Sequence, residues 1–332
     1  MADSGQKINY NLRFAKHVER KMLCDAFLEM RPFGGIKKYR YVGFGSFYFS
    51  DFTLFHKRLG LDNMISIEAN EGLEVRCTRN KPFECIDLKP GKASKVLRQA
   101  NFSWLEKTII WLDYDKELQN DYLDDIGFTC PKLASGSIVL VTVNAHPDRE
   151  DTNRVEKLKE KIDEQYLPLE LKQSDLGSWG KARVYRDIIT AVINRVLNES
   201  FAATPAQERL AYQQLFNFRY NDGARMLTVG GILFKEKDRP LLQECQFDAL
   251  PFVRQDSDSL LVEIPQLTYR EMKYLDSLLP RLGYLPDEYA GNASGIPGAF
   301  TDISSDMGIP PLDILKYANI YRFFPTFVDA EV

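Results

Sequence analysis

The chain has 332 residues, of which 44% are hydrophobic and 27% are charged, as expected for a globular protein. Its 43 Lys and Arg residues are balanced by 47 Asp and Glu residues, which excludes a strongly basic, polyanion-binding protein. The five cysteines form no C-x-x-C pair, so we expect reduced thiols, no zinc site and a cytoplasmic location. No stretch approaches the roughly 20 apolar residues of a membrane span, so we expect no membrane association.

The first 150 residues alternate between helix and strand patterns. Apolar residues at three- and four-residue spacing predict a helix over 15–30, which Pro32 and the Gly34–Gly35 pair end. Strands are predicted over 39–44, 64–68, 81–87, 108–115 and 137–144, and helices over 51–59 and 92–99. This alternation predicts an α/β protein with a doubly wound, mostly parallel, Rossmann-like sheet.

The pattern changes after residue 144. Helices are predicted over 153–165, 182–197, 267–279 and 311–321, and strands over 225–234 and 259–264 that could close the same sheet. Thr268 and Glu271 form a capping box for the third of these helices. A Gly/Pro-rich loop over 291–298 precedes the last helix.

These patterns divide the chain into three parts. We expect an N-terminal helical extension over 1–36, a Rossmann-like domain over 37–265 and a C-terminal helical region over 266–332.

In an open parallel sheet, ligands bind outside the carboxyl ends of the strands. The first strand runs into the corner Gly43-Phe44-Gly45-Ser46, where the glycines let the backbone approach a ligand closely. The second strand ends at Glu68, a carboxylate that can accept two hydrogen bonds from a ribose diol. These five residues are predicted to bind an adenosine-type ligand.

Further acids are predicted at the ends of the third and fourth strands. Asp87 at the end of the third could meet an adenine edge, and Asp113, after the fourth, is assigned both to the cofactor pocket and to catalysis. Asp113 or Asp115 could remove a proton from an acceptor, and His146 is a further candidate base. We predict no metal; the alternative is Mg²⁺ held by the two acids with Asn144.

A dinucleotide-dependent dehydrogenase would share the glycine and acid features. Its G-x-G-x-x-G fingerprint needs a third glycine where Tyr48 stands, so we do not favour this alternative.

Two segments resemble bacterial O-methyltransferases, and the run from Tyr39 to Asn144 resembles the class I S-adenosylmethionine-dependent methyltransferase fold. The first segment carries Asn9, Leu12, Arg13, Ala15, Lys16, Glu19, Arg20, Lys21 and Met22, and the second is Val42 to Ser46.

The resemblance implies S-adenosyl-L-methionine as cofactor. Gly43 and Gly45 would approach its amino-acid part, Glu68 its ribose and Asp87 its adenine. Two departures stand out: Phe47 takes the place of a third glycine, and the fourth strand lacks the Pro-Pro-Tyr-like ending typical of amino-group methyltransferases.

The resemblance therefore predicts an O-directed methyltransferase. Its acceptor could be a small molecule, a protein or an RNA, with a hydroxyl or a carboxylate as the methylated group. The alternative is a non-catalytic module that acts through protein partners in a bacterial multi-gene system. A protein partner or a homo-oligomer is possible in either case.

Three basic residues, Arg13, Lys16 and Arg20, recur at helical spacing in the first helix. We expect a solvated helix face there, with steering of phosphate as the alternative. His17 and His56 are expected to be packing residues. The aromatic side chains between Tyr39 and Phe55 are expected to pack in the core rather than stack a substrate ring.

Overall fold

The computed structural model describes residues 13–99, 102–148, 152–280 and 298–325. Asn9 and Leu12, and most of the predicted loop over 291–298, lie outside these ranges. The α-helices of the described residues are α1 (Phe14–Leu28), α2 (Ser50–Leu59), α3 (Glu74–Asn80), α4 (Ala93–Val96), α5 (Asn120–Thr129), α6 (Arg154–Lys159), α7 (Gly180–Ser200), α8 (Arg239–Glu244), α9 (Tyr269–Leu278), α10 (Gly298–Met307) and α11 (Pro311–Ile320).

One sheet organises the described chain. Its strands are β1 (Arg40–Gly43), β2 (Asn63–Glu68), β3 (Ile86–Pro90), β4 (Thr108–Asp113), β5 (Ser137–Asn144), β6 (Leu210–Asn221), β7 (Arg225–Lys235) and β8 (Leu260–Val262). The spatial order is β3-β2-β1-β4-β5-β7-β6-β8. The first five strands in this order are parallel, and β7 runs antiparallel to both β5 and β6. The predicted doubly wound, mostly parallel α/β fold is confirmed.

The sheet separates two hydrophobic cores. Because strand side chains alternate between faces, Trp111 of β4 packs into the core that α1 and α2 cover, while Leu112 packs into the core under α5 and α7. A third apolar cluster joins α9, α10 and α11. The carboxyl ends of β1, β2 and β4 are neighbours at one edge of the sheet, which is where a ligand site is expected.

Several predicted elements are confirmed. The fifth strand has the predicted bounds, and Thr268 caps α9 through the predicted capping box with Glu271. The predicted aromatic packing is also confirmed, because Tyr41, Phe49, Phe52 and Phe55 are fully buried.

Other elements differ from the prediction. The helix predicted over 153–165 is the shorter α6, and the long strand β6 was not predicted because Gln213, Gln214, Asn217 and Arg219 interrupt its apolar pattern. Those polar groups find partners in the fold: the side-chain amides of Gln214 and Asn217 donate to backbone carbonyls of the 254–258 segment.

Across the described ranges, no helix combines the length and apolar character that a bilayer crossing requires.

Candidate active site

The glycine corner after β1 is tied to β2. The backbone N–H of Gly45 donates to Ser66 Oγ at 3.1 Å, and Ser66 lies two residues before Glu68 on the same face of β2. A Cβ added at Gly45 would lie 2.7 Å from Ser66 Oγ and 2.6 Å from the Phe49 ring, so only glycine fits this contact. The corner is therefore fixed next to the end of β2.

Glu68 is held at the carboxyl end of β2 with 7% of its surface exposed. Its Oε1 accepts a hydrogen bond from the backbone N–H of Asn70 at 2.8 Å, and the Cys77 thiol lies 3.9 Å from Oε2. Burial, followed by the nearby Glu68 charge, raises the pKa of Cys77 to about 11. The carboxylate is thus oriented by its own loop and by α3, on the same side of the sheet as the glycine corner.

The aromatic run after Ser46 divides between core and surface. The Phe49 ring is buried in the core below α2, and the Phe47 and Tyr48 rings contact each other with centroids 4.5 Å apart. The guanidinium of Arg76 on α3 covers the Phe47 ring at 3.7 Å. Phe47 is therefore engaged with α3, beside the Glu68 loop.

The expectation that the third strand ends at Asp87 is wrong. Strand β3 continues to Pro90, so Asp87 lies about 10 Å before its carboxyl end. Asp87 pairs in register with Ile65, which faces away from Glu68, and it is 57% exposed in an ion pair with Lys89. Lys89 and Pro90 extend the β3–β2 ladder, which shifts the strand relative to the prediction. The structure does not bring Asp87 together with Glu68.

Asp113 is the last residue of β4, and a buried lysine of α1 reaches it. Lys16 Nζ lies 3.1 Å from Asp113 Oδ1 and 2.9 Å from Glu19 Oε2. Asp113 keeps 24% of its side chain exposed, whereas Lys16 and Glu19 are buried. Burial raises the pKa of Glu19, and the charge of Lys16 opposes this rise.

Polar groups of three strands complete this arrangement. Lys16 Nζ donates to the Tyr220 hydroxyl at 3.1 Å and lies 4.1 Å from the centre of the Trp111 ring. The Trp111 indole donates to Thr142 Oγ1 at 2.9 Å, and this oxygen is 3.4 Å from Lys16 Nζ. We call Lys16, Glu19, Asp113, Thr142 and Tyr220 the Lys16 cluster.

A second buried polar group lies beneath the glycine corner. The Tyr41 hydroxyl donates to Asp51 Oδ2, and a Cβ at Gly43 would lie 2.5 Å from that hydroxyl. Burial raises the pKa of Asp51, an effect that the charge of Arg20 opposes. Arg20 itself is 5% exposed, and its Nε is buried without a hydrogen-bond partner in the described structure.

The remaining candidate bases lie apart from Lys16. Asp115 follows β4 and its charge acts on Tyr122 of α5, whose pKa rises to about 12 through burial first and Asp115 second. His146 is exposed; its backbone N–H donates to Asn144 Oδ1 at 2.8 Å, and its ring Nδ1 is 3.5 Å from the backbone N of Arg225. Their catalytic roles, and the Mg²⁺ alternative, stay predictions.

The expectation of a solvated basic face on α1 is wrong for Lys16 and Arg20. Sequence reasoning missed these residues together with Glu19, although a signal existed. Residues 16, 20, 23 and 27 follow three- and four-residue spacing, so the charged side chains are in phase with the buried Leu23 and Phe27. Their phase, rather than their charge, indicated burial.

A separate group of possible metal ligands lies at the opposite edge of the sheet. His56, Asp62 and Cys85 bring ligand atoms within 4.8 Å of one another, the one such group in the described ranges. His56 Nδ1 is already 2.9 Å from the Leu61 carbonyl, and Asp62 is largely exposed. This group has no contact with the residues around Glu68 and Asp113.

Comparison with known proteins gives the class and then the family. The sheet order, with helices on both faces, is that of the Rossmann-like, class I methyltransferase fold. The model of a family described as "putative O-methyltransferase" matches residues 8–332, so the chain belongs to that family. No curated protein matches the chain.

Solved structures share low sequence identity with the chain. A protein of Pyrococcus horikoshii described as "putative transferase PH0793" is 12% identical over 60% of this chain and 58% of that chain (TM-score 0.34), so the chain spans less than two thirds of its length. A protein of Klebsiella pneumoniae described as "a putative O-methyltransferase" is 13% identical over 68% and 81% (TM-score 0.36). An O-methyltransferase of Bacillus cereus, crystallised with SAH, is 12% identical over 64% and 80% (TM-score 0.35).

Proposed function

We propose that the protein transfers a methyl group from S-adenosyl-L-methionine to an oxygen acceptor at the carboxyl ends of β1, β2 and β4. The observation that carries this proposal is the Gly45–Ser66 contact, which fixes the glycine corner beside the Glu68 carboxylate. Family membership supports the reaction class.

The residues at this edge fit the cofactor in their chemistry. Gly43, Phe44, Gly45 and Ser46 would hold its amino-acid part, because the corner follows the carboxyl end of β1 and leads into the N-terminus of α2. Glu68 would accept hydrogen bonds from the ribose, in competition with its contacts to Asn70 and Cys77. Asp87 has no place in this pocket, because it lies away from the carboxyl end of β3.

The bound cofactor supplies an electrophilic methyl group. The protein must orient the acceptor oxygen and take up its proton if the acceptor is a hydroxyl. Asp113 is suited to this role, because it ends β4 next to the glycine corner and is the most exposed of the three charged groups that meet at Lys16. Asp115 and His146 are second candidates for proton uptake from the neighbouring loops.

The acceptor belongs to a class with a free hydroxyl or carboxylate, in a small molecule, a protein or an RNA. We further propose that the protein acts in the bacterial cytoplasm, which the unpaired cysteines support. A protein partner or a second copy of the chain would contact regions away from the glycine corner.

Calorimetry with S-adenosyl-L-methionine tests the cofactor site. We expect Glu68→Ala to weaken binding by about 1.5–3 kcal/mol, roughly 10- to 150-fold in Kd, because it removes a charged hydrogen-bond acceptor. Asp87→Ala is the matched control, since it removes a carboxylate from the adjacent strand, and its Kd should equal that of the wild type.

The two results separate the competing interpretations. If Glu68→Ala and Asp87→Ala changed the Kd for S-adenosyl-L-methionine by the same factor, the assignment of Glu68 to the pocket would be refuted. Absence of any binding by the wild type would refute the methyltransferase function and favour the non-catalytic module.

A further inference from the structure

A single ammonium lies between two carboxylates in the Lys16 cluster. Lys16 is 2% exposed and Glu19 is fully buried, so neither partner of this ion pair is freely hydrated. Asp113 is the member of the three charged groups that solvent can reach. The cluster therefore presents one carboxylate to the active-site edge and keeps the other two charges behind it.

The lysine is fully engaged by protein groups. An ammonium has three N–H donors, and Lys16 Nζ donates to Asp113 Oδ1 at 3.1 Å, to the Tyr220 hydroxyl at 3.1 Å and to Thr142 Oγ1 at 3.4 Å, with Glu19 Oε2 at ion-pair distance, 2.9 Å away. The Trp111 ring covers it from a further side. Lys16 has no donor left for a substrate, so its effect on the reaction must pass through Asp113.

Other charged and titratable groups face the cluster from each packed element. They are Arg20 on α1, Tyr41 on β1, Asp51 on α2 and Asp222 after β6, while Tyr220 on β6 belongs to the cluster itself. Burial raises the pKa of Tyr41 and Tyr220 well above its usual range, so both hydroxyls stay neutral. Arg20, Asp51 and Asp222 are the further charged groups nearby, whereas Lys16 is in direct contact with Asp113 at 3.1 Å.

We propose that Lys16 and Glu19 are positioning residues for Asp113: Lys16 fixes Asp113 Oδ1, and Glu19 shares the positive charge that would otherwise act on Asp113 alone. The inference rests on the proposed methyl transfer. With a hydroxyl acceptor, the acceptor oxygen gains the methyl group, its O–H bond breaks, and the proton passes to the Asp113 carboxylate. The C–S bonding pair stays with sulfur.

This arrangement predicts opposite effects for two substitutions. Glu19→Gln leaves Lys16 to act on Asp113 alone, so Asp113 should become harder to protonate and its titration midpoint should fall. Adding Lys16→Met to that variant removes the cation, so the midpoint should rise above that of Glu19→Gln. Each change should amount to at least about 0.5 pH unit, since an adjacent opposite charge has effects of this order or larger.

The titration is followed by NMR on protein labelled with ¹³C at the aspartate side-chain carboxyl, and Asp113→Asn identifies the resonance. Glu19→Gln and the double variant Lys16→Met/Glu19→Gln leave no buried carboxylate of this pair without its cation, so both should fold. Lys21→Met is the control on the same helix, because Lys21 Nζ contacts the Phe324 carbonyl instead, and its midpoint should match the wild type.

Methyl transfer is measured over pH 5–9 with S-adenosyl-[methyl-³H]methionine and a clarified bacterial extract as acceptor source. The acidic limb of the rate profile should move with the NMR midpoint in each variant. The inference would be overturned if the Asp113 midpoint stayed fixed, or if the two substitutions moved it in the same direction. It would also be overturned if the acidic limb of the rate profile did not follow the midpoint.

Both variants should still bind S-adenosyl-L-methionine in calorimetry, because neither alters the glycine corner or Glu68. Calorimetry therefore tests the proposed cofactor site, and the NMR titration tests the positioning role independently of it.

Discussion

Strand β4 ends between two ion-pair networks that differ in their exposure to water. Asp113 joins the Lys16 cluster on one face of the sheet. On the other face the Tyr114 hydroxyl donates to Asp125 Oδ2 at 3.0 Å, and Arg98 Nη1 donates to Asp125 Oδ1 at 2.8 Å. Arg98 is 35% exposed, whereas Lys16 is buried.

The difference in exposure between Arg98 and Lys16 suggests different roles for the two ion pairs. In the Arg98–Asp125 pair only the carboxylate is buried, and the hydrated guanidinium keeps part of its solvation, so the pair loses less solvation than two buried charges would. Removing both charges of a pair from water carries a desolvation penalty that the Coulomb attraction does not reliably offset. The sealed Lys16–Glu19 pair is therefore poorly explained by stability alone, and its position beside an accessible carboxylate favours a functional role.

The largest expected effect is that of Lys16→Met. The substitution leaves Glu19 buried without its cation, which should lower the free energy of unfolding by about 3–5 kcal/mol. Urea denaturation measures this change. The double variant Lys16→Met/Glu19→Gln should recover a large part of the loss, and a double variant as unstable as the single one would contradict the account.

Arg98→Met should have a smaller effect, about 1–2 kcal/mol in the same urea experiment. Asp125 retains the Tyr114 hydroxyl as a donor, and water can enter where the guanidinium stood. A loss equal to that of Lys16→Met would remove the distinction between the two faces.

The smallest effect is expected in the pH dependence of Asp51→Asn. Burial raises the pKa of Asp51 in the folded protein above its unfolded value. The folded state therefore binds this proton more tightly, and the associated stability is complete below about pH 4 and is lost as the pH rises through the raised pKa.

Thermal unfolding between pH 4 and pH 8 tests this sign. The wild type should lose stability relative to Asp51→Asn as the pH rises, while Asp124→Asn, which alters an exposed acid, should parallel the wild type. If the stability of the wild type relative to Asp51→Asn increased with rising pH, ionised Asp51 would be stabilising instead.

The sequence predicts the fold better than it predicts the site. Strand β5 is apolar from Ile138 to Val141 and again at Val143, and β-branched Thr142 also favours a strand, so its bounds follow from composition alone. The placement of Glu68 follows from a clear β2 pattern. The position of Asp87 was predicted wrongly because β3 continues to Pro90. Asp87 and Lys89 are charged, so no hydrophobic pattern indicates where this strand ends.

The Lys16 cluster could not be predicted as a set. Its members come from positions 16, 19, 113, 142 and 220, and no local spacing connects them. Their proximity depends on α1 lying across the ends of β4, β5 and β6, which is a property of the folded chain. Only the helical phase of residues 16, 20, 23 and 27 was available beforehand.

The backbone N–H of Lys16 donates to Asp222 Oδ2 at 3.2 Å, so the turn between β6 and β7 anchors the first turn of α1. The first turn of α1 therefore depends on a residue 206 positions further along the chain. During synthesis on the ribosome, α1 has neither this anchor nor Tyr220 beside its lysine until the β6–β7 hairpin has emerged, so the Lys16 cluster can form only after that hairpin has been made.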